Sequence, residues 1–293
     1  MDLKSTKLYK VERYNSNCYR IIEYNCSVFG SKEKHLILDQ DKKDNGIDKE
    51  HLKQSISRSK RNIRRLCLSN EFQYFCTWTI NSNFADRFSV QQAQEKMREL
   101  LKEYQRRSMA YKKSLKNERD RSRYETFKYI YVIEKHKNGA LHFHGMVKNM
   151  LPGDLELFDR NNFDKLPYYI LDSIDKNKKL YYSNFFNDKL GYCTFSKINN
   201  YNACCNYMIK YISKDPVRNE NDQIYFCSRD LSKGSDKIFS AFDLDFFDNC
   251  YEYKENDNLI CRVKDIYLDN FNTDTKNRFL NFVINDNYQD IYL

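Results

Sequence analysis

A His-x-His pair and a nearby carboxylate occupy residues 131–147, at spacings suited to binding a metal ion. Side chains alternate between the two faces of a β-strand, so His142 and His144 point the same way. Gly139 supplies a turn between two apolar runs, which places Glu134 on a neighbouring antiparallel strand, level with the histidine pair. The segment therefore predicts a metal site made of two imidazoles and one carboxylate.

The same spacing has a second interpretation, because a strand can carry two histidines on a solvated face for no chemical reason. The metal interpretation is favoured because Glu134 arrives in register and because histidine is scarce, with five in the whole chain. His136 lies near the turn. We interpret it as a solvated loop residue or a nucleic-acid contact rather than as a ligand.

Two tyrosines lie four residues apart on a helix predicted over residues 202–213. Tyr207 and Tyr211 share a helix face, with Cβ atoms about 5–6 Å apart. Each is followed three residues later by a lysine, Lys210 and Lys214. A phenol with a pKa near 10 is a poor nucleophile at neutral pH, and a nearby ammonium or metal ion favours its phenolate. The alternative is a core helix whose tyrosines pack against a sheet while the lysines reach solvent.

The metal ligands and the tyrosine helix are complementary parts of one reaction, the cleavage of a DNA phosphodiester through a phosphotyrosine link. A divalent cation polarises the scissile phosphate, and the tyrosine oxygen attacks in line. No general base is evident in the sequence. By ligand softness alone, two imidazoles and a carboxylate suit Mn²⁺ or Zn²⁺ better than Mg²⁺.

The elements that must hold these groups follow from the periodicity of apolar residues. Residues 72–80 predict a buried central strand, residues 90–111 a long basic helix, and residues 127–134 and 141–147 two further strands. Before them, residues 52–68 predict an amphipathic helix with six basic and no acidic side chains. This helix either contacts DNA or forms a solvated face beside an apolar stripe. The order of elements predicts an α+β fold with helices on one face of the sheet.

The chain divides into three parts by composition. Residues 1–50 predict an N-terminal extension of short strands, and residues 51–235 predict the core. Residues 236–293 predict a C-terminal extension of added strands or a small helical cap. Within the core, residues 149–190 are polar and irregular and predict an insertion ahead of a strand at residues 190–198.

Composition favours a polyanionic partner. Lysine and arginine outnumber aspartate and glutamate by 50 to 41, and aromatic residues reach 15%. Basic side chains attract phosphates and aromatic rings stack on unpaired bases, so single-stranded nucleic acid would use both. The alternative is codon bias in an AT-rich genome, which enriches Lys, Asn, Tyr and Ile.

Cysteine usage and hydropathy bear on location. Ten cysteines occur without any Cys-x-x-Cys pair, which predicts reduced thiols rather than a zinc site. No basic start is followed by an apolar segment, and no uninterrupted apolar run reaches about 18 residues. We therefore expect a soluble cytosolic protein with no membrane partner.

Taken together, these residues resemble the HUH rolling-circle replication initiators of microvirus-like single-stranded DNA phages and related plasmids. Three motifs occur in the expected order, at residues 75–80, at Glu134 with residues 142–144, and at residues 207–214, the last in a two-tyrosine form. Residues 57–63 and 225–231 also resemble segments of such phage proteins. The similarity extends over about residues 52–235.

The resemblance implies a central five-stranded antiparallel sheet flanked by helices, with a ferredoxin-like or RRM-like core. It places the histidine pair on a central strand and the tyrosine helix across it. It also implies an endonuclease that nicks one DNA strand at an origin, forms a 5′-phosphotyrosine intermediate and leaves a free 3′-hydroxyl for a host DNA polymerase. Tyr207 and Tyr211 would then alternate in cleavage and joining, with Lys210 and Lys214 assisting them.

The resemblance further implies that Glu134, His142 and His144 hold one divalent metal ion, Mg²⁺ or Mn²⁺, as is usual in the family. The sequence has no Walker A glycine-lysine motif, so we expect a host helicase to act with the protein in the bacterial cytoplasm. Two alternatives stay open. One is a relaxase or single-strand transposase with the same chemistry, and the other is a non-catalytic single-stranded nucleic-acid-binding module.

Overall fold

The computed structural model describes residues 7–24, 49–159, 166–176, 178–214, 223–241, 246–255 and 258–284. These residues belong to two compact units. The larger unit is formed by residues 48–232, and the smaller unit is formed by the residues on either side of that segment.

Strands and helices alternate along the chain without a repeat. The strands are β1 (Lys7–Arg13), β2 (Cys18–Tyr24), β3 (Tyr74–Thr79), β4 (Lys128–Lys135), β5 (Leu141–Lys148), β6 (Leu155–Leu157), β7 (Tyr181–Ser183), β8 (Cys193–Lys197), β9 (Tyr225–Cys227), β10 (Ser235–Ala241), β11 (Tyr251–Glu255) and β12 (Asn258–Tyr267). The helices are α1 (Lys49–Ser69), α2 (Val90–Ser114), α3 (Glu118–Arg123), α4 (Tyr168–Asp175), α5 (Asn184–Asn187), α6 (Tyr201–Lys214) and α7 (Thr273–Ile284).

The larger unit contains a seven-stranded antiparallel sheet with the strand order β6-β7-β8-β3-β5-β4-β9. The predicted α+β class, with an antiparallel sheet flanked by helices, is confirmed. The number of strands differs from the prediction of five. The run from β8 to β9 supplies five adjacent strands, and β7 and β6 extend the sheet beyond β8. The histidine-bearing strand β5 lies between β3 and β4, inside the sheet.

The insertion predicted at residues 149–190 is more regular than its composition indicates. β6 pairs with β7, and β7 pairs with β8 where Tyr181 lies opposite Phe195. The segment also contains α4 and α5. The two strands have three residues each, which is too short for an alternating pattern of apolar residues to be recognised. Their pairing with the sheet therefore had no local sequence signal.

Helices cover both faces of this sheet, so the prediction of a single covered face is wrong. α2 packs on the face that carries Trp78 and Phe143, whereas α1 and α6 pack on the opposite face, against Val132 and Met146. The two cores arise because consecutive side chains of β3, β4 and β5 point to opposite faces, and apolar residues occupy both. The order of elements does not specify the face on which a helix packs, and this explains the error.

The smaller unit contains a five-stranded antiparallel sheet with the strand order β10-β1-β2-β12-β11. Strands from the two ends of the chain are therefore neighbours in one sheet. On one face, Phe279 of α7 packs edge-on against Tyr19 at 5.2 Å between ring centroids. Arg20 of β2 makes a two-bond ion pair with Asp265 of β12, at 2.7 and 3.0 Å. The C-terminal part supplies both of the element types predicted for it, strands and a helix.

Two expectations drawn from composition can be compared with the structure. Within the described segments, no helix is long and apolar enough to cross a membrane. No disulfide joins the cysteines of those segments, which agrees with the predicted reduced thiols.

Candidate active site

Three adjacent strands bring the predicted metal ligands onto one face of the larger sheet. On β4, Glu134 lies directly opposite His142 of β5, as the turn at Gly139 predicts. His144 follows two residues later on the same face of β5. This is the face on which α1 and α6 pack, because Met146, the next residue in that alternation, belongs to their core.

His144 is held between a carboxylate and a hydroxyl. Its Nε2 lies 2.7 Å from Oε2 of Glu134, and its Nδ1 lies 3.1 Å from the hydroxyl oxygen of Thr77 on β3. His142 has a similar neighbour, since its Nδ1 is 3.5 Å from the Thr79 hydroxyl oxygen. The two threonines occupy alternate positions of β3, opposite the two histidines. A hydroxyl that accepts from Nδ1–H fixes the tautomer that leaves Nε2 as a lone-pair donor.

His136, the third histidine of the segment, also lies beside this group. Its ring stacks on the ring of His142 with centroids 4.0 Å apart, and its Nε2 is 3.6 Å from Oε2 of Glu134. The side chain is 44% exposed, which agrees with a position in the turn between β4 and β5. The turn itself is closed by hydrogen bonds from Gly139 N–H to the His136 carbonyl and from His136 N–H to the Ala140 carbonyl.

Burial keeps the two predicted histidine ligands neutral. It lowers the pKa of His142 to about 4, with smaller contributions from the neighbouring His136 and His144. Burial also lowers the pKa of His144, although the hydrogen bond and the charge of Glu134 act in the opposite direction. Neutral imidazoles at neutral pH are the form that binds metal ions. The electrostatics of the site are therefore compatible with the predicted role.

The tyrosine helix lies against the histidines. The ring of Tyr211 stacks on that of His144 at 4.7 Å between centroids, with 12° between the planes. Tyr207 meets the same histidine edge-on at 5.4 Å, and the two tyrosine rings are 4.8 Å apart. Helix α6 is held in this position by Met208 and Ile212, which are buried in the core shared with α1. The structure thus places both phenols next to the imidazole–carboxylate pair.

The two phenols differ in their access to solvent. Tyr207 is 41% exposed, whereas Tyr211 is 7% exposed. Burial raises the pKa of Tyr211 well above its usual range, and the hydrogen bond to Tyr207, its negative form and the charge of Glu134 add to this effect. Tyr211 is consequently the phenol that is harder to ionise and harder for DNA to reach.

The structure places one of the two predicted lysines and leaves the other undescribed. Lys210 is exposed on α6, three residues after Tyr207. Lys214 is the last residue of α6, and its side chain lies outside the described part of the structure. The lysines therefore share the helix with the tyrosines, and their proposed assistance depends on charge rather than on an observed contact.

Several neighbours of the site were not identified as functional from the sequence. Phe75 of β3 contacts Tyr207 edge-on at 5.5 Å between ring centroids, and Tyr169 of α4 interacts with the Thr79 hydroxyl. Thr77 and Thr79 belong to the first motif of the resemblance, but no role was assigned to them. Their alternation along β3 is visible in the sequence, and pairing β3 with β5 would have brought them to the histidines.

The site can be tested for its fit to a divalent ion. Within the part of the chain that the structure describes, no group of three or more His, Cys, Asp and Glu side chains is arranged to hold a metal ion. Two donors nevertheless converge, because Nε2 of His144 and Oε2 of Glu134 are 2.7 Å apart. Adjacent ligands on an ion with bonds of about 2.1 Å are roughly 3 Å apart in octahedral geometry. The donor types and their hydroxyl partners therefore fit an ion bound between Glu134 and His144, with His142 beside them.

Comparison with known proteins places this site within one family. Residues 73–216 match the family model of the replication-associated protein ORF2. No curated protein and no solved structure matches the chain. The matched segment runs from β3 to just beyond α6 and contains all of the predicted ligands and tyrosines. It agrees with the resemblance to rolling-circle replication initiators. Through this segment, the chain belongs to the family of the replication-associated protein ORF2.

Proposed function

We propose that the protein initiates replication by nicking one strand of DNA at an origin through a covalent phosphotyrosine intermediate. The observation that supports this most directly is the contact between the ring of His144 and the rings of Tyr211 and Tyr207, at 4.7 and 5.4 Å. It joins a carboxylate-bonded imidazole to two phenols in the segment that matches a replication-associated family. Neither group alone would favour this chemistry over simple packing.

The proposed reaction is a transfer of a phosphodiester to tyrosine. The phenol oxygen of one tyrosine forms a bond to phosphorus as the phenol loses its proton, and the bond from phosphorus to the 3′ oxygen breaks. The 3′ oxygen takes up a proton and leaves as a free hydroxyl, while the 5′ phosphate stays on the tyrosine. In rejoining, a 3′-hydroxyl attacks that phosphotyrosine and releases the phenol. The free 3′-hydroxyl is the end from which a host DNA polymerase would extend.

The chain's own side chains supply position and charge. We propose that Glu134, His142 and His144 hold one divalent ion, Mg²⁺ or Mn²⁺, which when bound supplies positive charge to the scissile phosphate. Thr77 and Thr79 hold the imidazoles in the tautomer that directs Nε2 away from β3. Lys210 and Lys214 add positive charge along the tyrosine helix, which favours the ionised phenol and the phosphate.

The substrate and the partners follow from this chemistry. We propose single-stranded origin DNA as the substrate, with a host DNA polymerase and a host helicase acting after the nick in the bacterial cytoplasm. A relaxase or a single-strand transposase would use the same geometry on a transfer origin or a transposon end. A non-catalytic module would bind single-stranded nucleic acid without forming an adduct.

The experiment is a covalent-adduct assay. A single-stranded oligonucleotide that carries the replicon's own origin and a 3′ label is incubated with the protein and Mn²⁺, then resolved on a denaturing gel. We expect a labelled protein adduct that is absent in EDTA and absent for the double variant Tyr207→Phe/Tyr211→Phe. The matched control, Tyr251→Phe/Tyr253→Phe, removes two exposed phenols of the smaller unit and should form the adduct normally. An adduct that persists in the Tyr207→Phe/Tyr211→Phe variant contradicts the proposal.

A further inference from the structure

Helix α1 presents a cationic surface next to the tyrosine helix. From residue 55 to its end, α1 carries five basic side chains and no acidic one. Its apolar side is buried, since Ile63, Leu66 and Cys67 belong to the core shared with α6. The five basic residues define a surface that we call the α1 cationic face: Arg58, Lys60, Arg61, Arg64 and Arg65.

These cations are close neighbours on the helix. Arg61 lies one turn from Arg58, Arg64 and Arg65, at spacings of three and four residues, and Lys60 lies four residues from Arg64. Arg58 and Arg61 are exposed. Like charges at these spacings destabilise a helix by a few tenths of a kcal/mol per pair. The clustering is therefore a cost to the isolated protein, which a bound polyanion would remove.

The α1 cationic face differs from the other long helix of the same unit. On α2, Arg107 pairs with Glu103 at 2.8 Å and Lys96 pairs with Glu99 at 3.8 Å. For Arg58, Lys60 and Arg61, no ion pair is found with any residue that the structure describes. Both helices are basic by composition, but α1 has no acidic residues of its own in this stretch to balance its charge.

The cationic face is joined directly to the candidate site. The guanidinium of Arg64 donates to the side-chain oxygen of Asn206 on α6 at 2.8 Å. Asn206 precedes Tyr207, the more exposed of the two phenols. Helices α1 and α6 also share one core on the histidine-bearing face of the sheet. A strand that touched Arg61 and Arg64 would therefore pass within about a helical turn of the nucleophile.

We propose that the α1 cationic face binds the phosphate backbone of the single-stranded DNA and guides it to Tyr207. This inference rests on the proposed function and adds to it the surface that holds the substrate. From Arg58 to Arg65 the helix rises by about 10 Å, over which a strand at about 3.4 Å per phosphate presents three charges. The contacts are with phosphate, so they position the strand without reading its sequence.

The test compares two triple variants of equal charge. Arg58→Gln/Lys60→Gln/Arg61→Gln alters the α1 cationic face. Its control, Arg98→Gln/Lys102→Gln/Arg106→Gln, removes two arginines and one lysine from exposed positions of α2, on the other face of the sheet. Affinity for a fluorescent single-stranded oligonucleotide is measured by anisotropy across a sodium chloride series.

We expect the α1 variant to bind about tenfold or more weakly at low salt. The slope of log K against log salt should fall in magnitude by about 2, since each phosphate contact contributes about 0.7 for single strands. The α2 control should keep the slope of the parent protein. A third variant, Arg58→Lys/Arg61→Lys, keeps the charge and should also keep the slope, and circular dichroism melts establish that all three variants are folded.

Equal slopes for the α1 variant and the α2 control would overturn the inference and would leave α1 as a solvated helix face. The proposed nicking is scored separately, by adduct formation with the parent protein. If the parent forms an adduct and the α1 variant binds normally, the inference fails while the proposed function stands. If the parent forms no adduct but the α1 variant loses its salt dependence, the surface stands while the nicking function fails.

Discussion

The hydroxyl oxygen of Thr77 lies 3.1 Å from Nδ1 of His144, across the pairing of β3 with β5. On the other side of the same ring, Nε2 faces the carboxylate of Glu134 at 2.7 Å. With both ring nitrogens engaged, the imidazole cannot rotate or exchange its tautomer without losing a hydrogen bond. Partners of this kind orient metal-bound histidines in other proteins.

The first prediction removes this hydroxyl. Thr77→Val keeps the branched shape and deletes the acceptor, so we expect Mn²⁺ to bind about tenfold more weakly, at the lower end of the effect of outer partners of metal ligands. Isothermal titration calorimetry of the purified protein measures this without reference to activity. Thr77→Ser retains a hydroxyl and is the matched control. Equal Mn²⁺ affinities for the valine and serine variants would show that Thr77 has no orienting role.

The second prediction concerns the order of the two nucleophiles. Tyr207 is 41% exposed and Tyr211 is 7% exposed, and burial raises the pKa of Tyr211. We therefore expect Tyr207 to make the first attack. Tyr207→Phe should lower the rate of first adduct formation by more than about a hundredfold, the size of effect seen when a nucleophile is lost. Tyr211→Phe should leave that rate within a fewfold of the parent protein.

The measurement is single-turnover adduct formation on a 3′-labelled strand, followed on denaturing gels. A second oligonucleotide carrying an uncut site then tests the later transfer, which Tyr211→Phe should impair. The reverse pattern, with Tyr211→Phe blocking the first adduct, would assign the first attack to the buried phenol.

The sequence predicted the local parts of this site better than the non-local parts. Glu134 lies opposite His142 because a short turn fixes the register between two consecutive strands. The tyrosine helix was predicted within one residue of its observed bounds, from helical periodicity and a following proline. The pairing of Thr77 with His144 joins residues 67 apart, and no turn signal specifies such a register. The same limitation hid β6 and β7 and the face on which each helix packs.

The third prediction concerns Gly145, the residue after His144. A Cβ atom at this position would lie 2.5 Å from the Ile130 carbonyl oxygen and 2.7 Å from Cζ3 of Trp78. β5 is paired on both sides, so the strand cannot shift to relieve the contact. We expect Gly145→Ala to lower the free energy of unfolding by about 1–3 kcal/mol, the usual cost of overpacking a core. Urea unfolding measures this change.

A matched control for this change is available at Gly153, whose φ is +78° and whose added Cβ would meet nothing within 4 Å. Asparagine tolerates the left-handed region, so Gly153→Asn should change the free energy of unfolding little. If Gly145→Ala proved equally harmless, the close approach of β4 and Trp78 at this position could not be correct.

The last prediction follows from the lowered pKa of His142. The pKa is about 4 in the folded protein and about 6.5 in an unfolded chain. Between these values the unfolded state binds more protons, so the free energy of unfolding of the metal-free protein should rise with pH from about 4 to about 6.5. We expect His142 to contribute about 1–3 kcal/mol of this rise, since its ring is only partly buried. The contribution is fully present above about pH 6.5 and is lost as the pH falls toward 4.

The measurement is urea unfolding in EDTA at a series of pH values, for the parent protein and for His142→Gln. Other groups also titrate in this range, so the informative quantity is the difference between the two curves. Glutamine carries no titrating proton, and the His142→Gln protein should therefore lose less stability on acidification. Parallel curves would mean that His142 titrates alike in the folded and unfolded states. The imidazole would then not be held neutral by burial, and its readiness to bind a metal ion at neutral pH would need another cause.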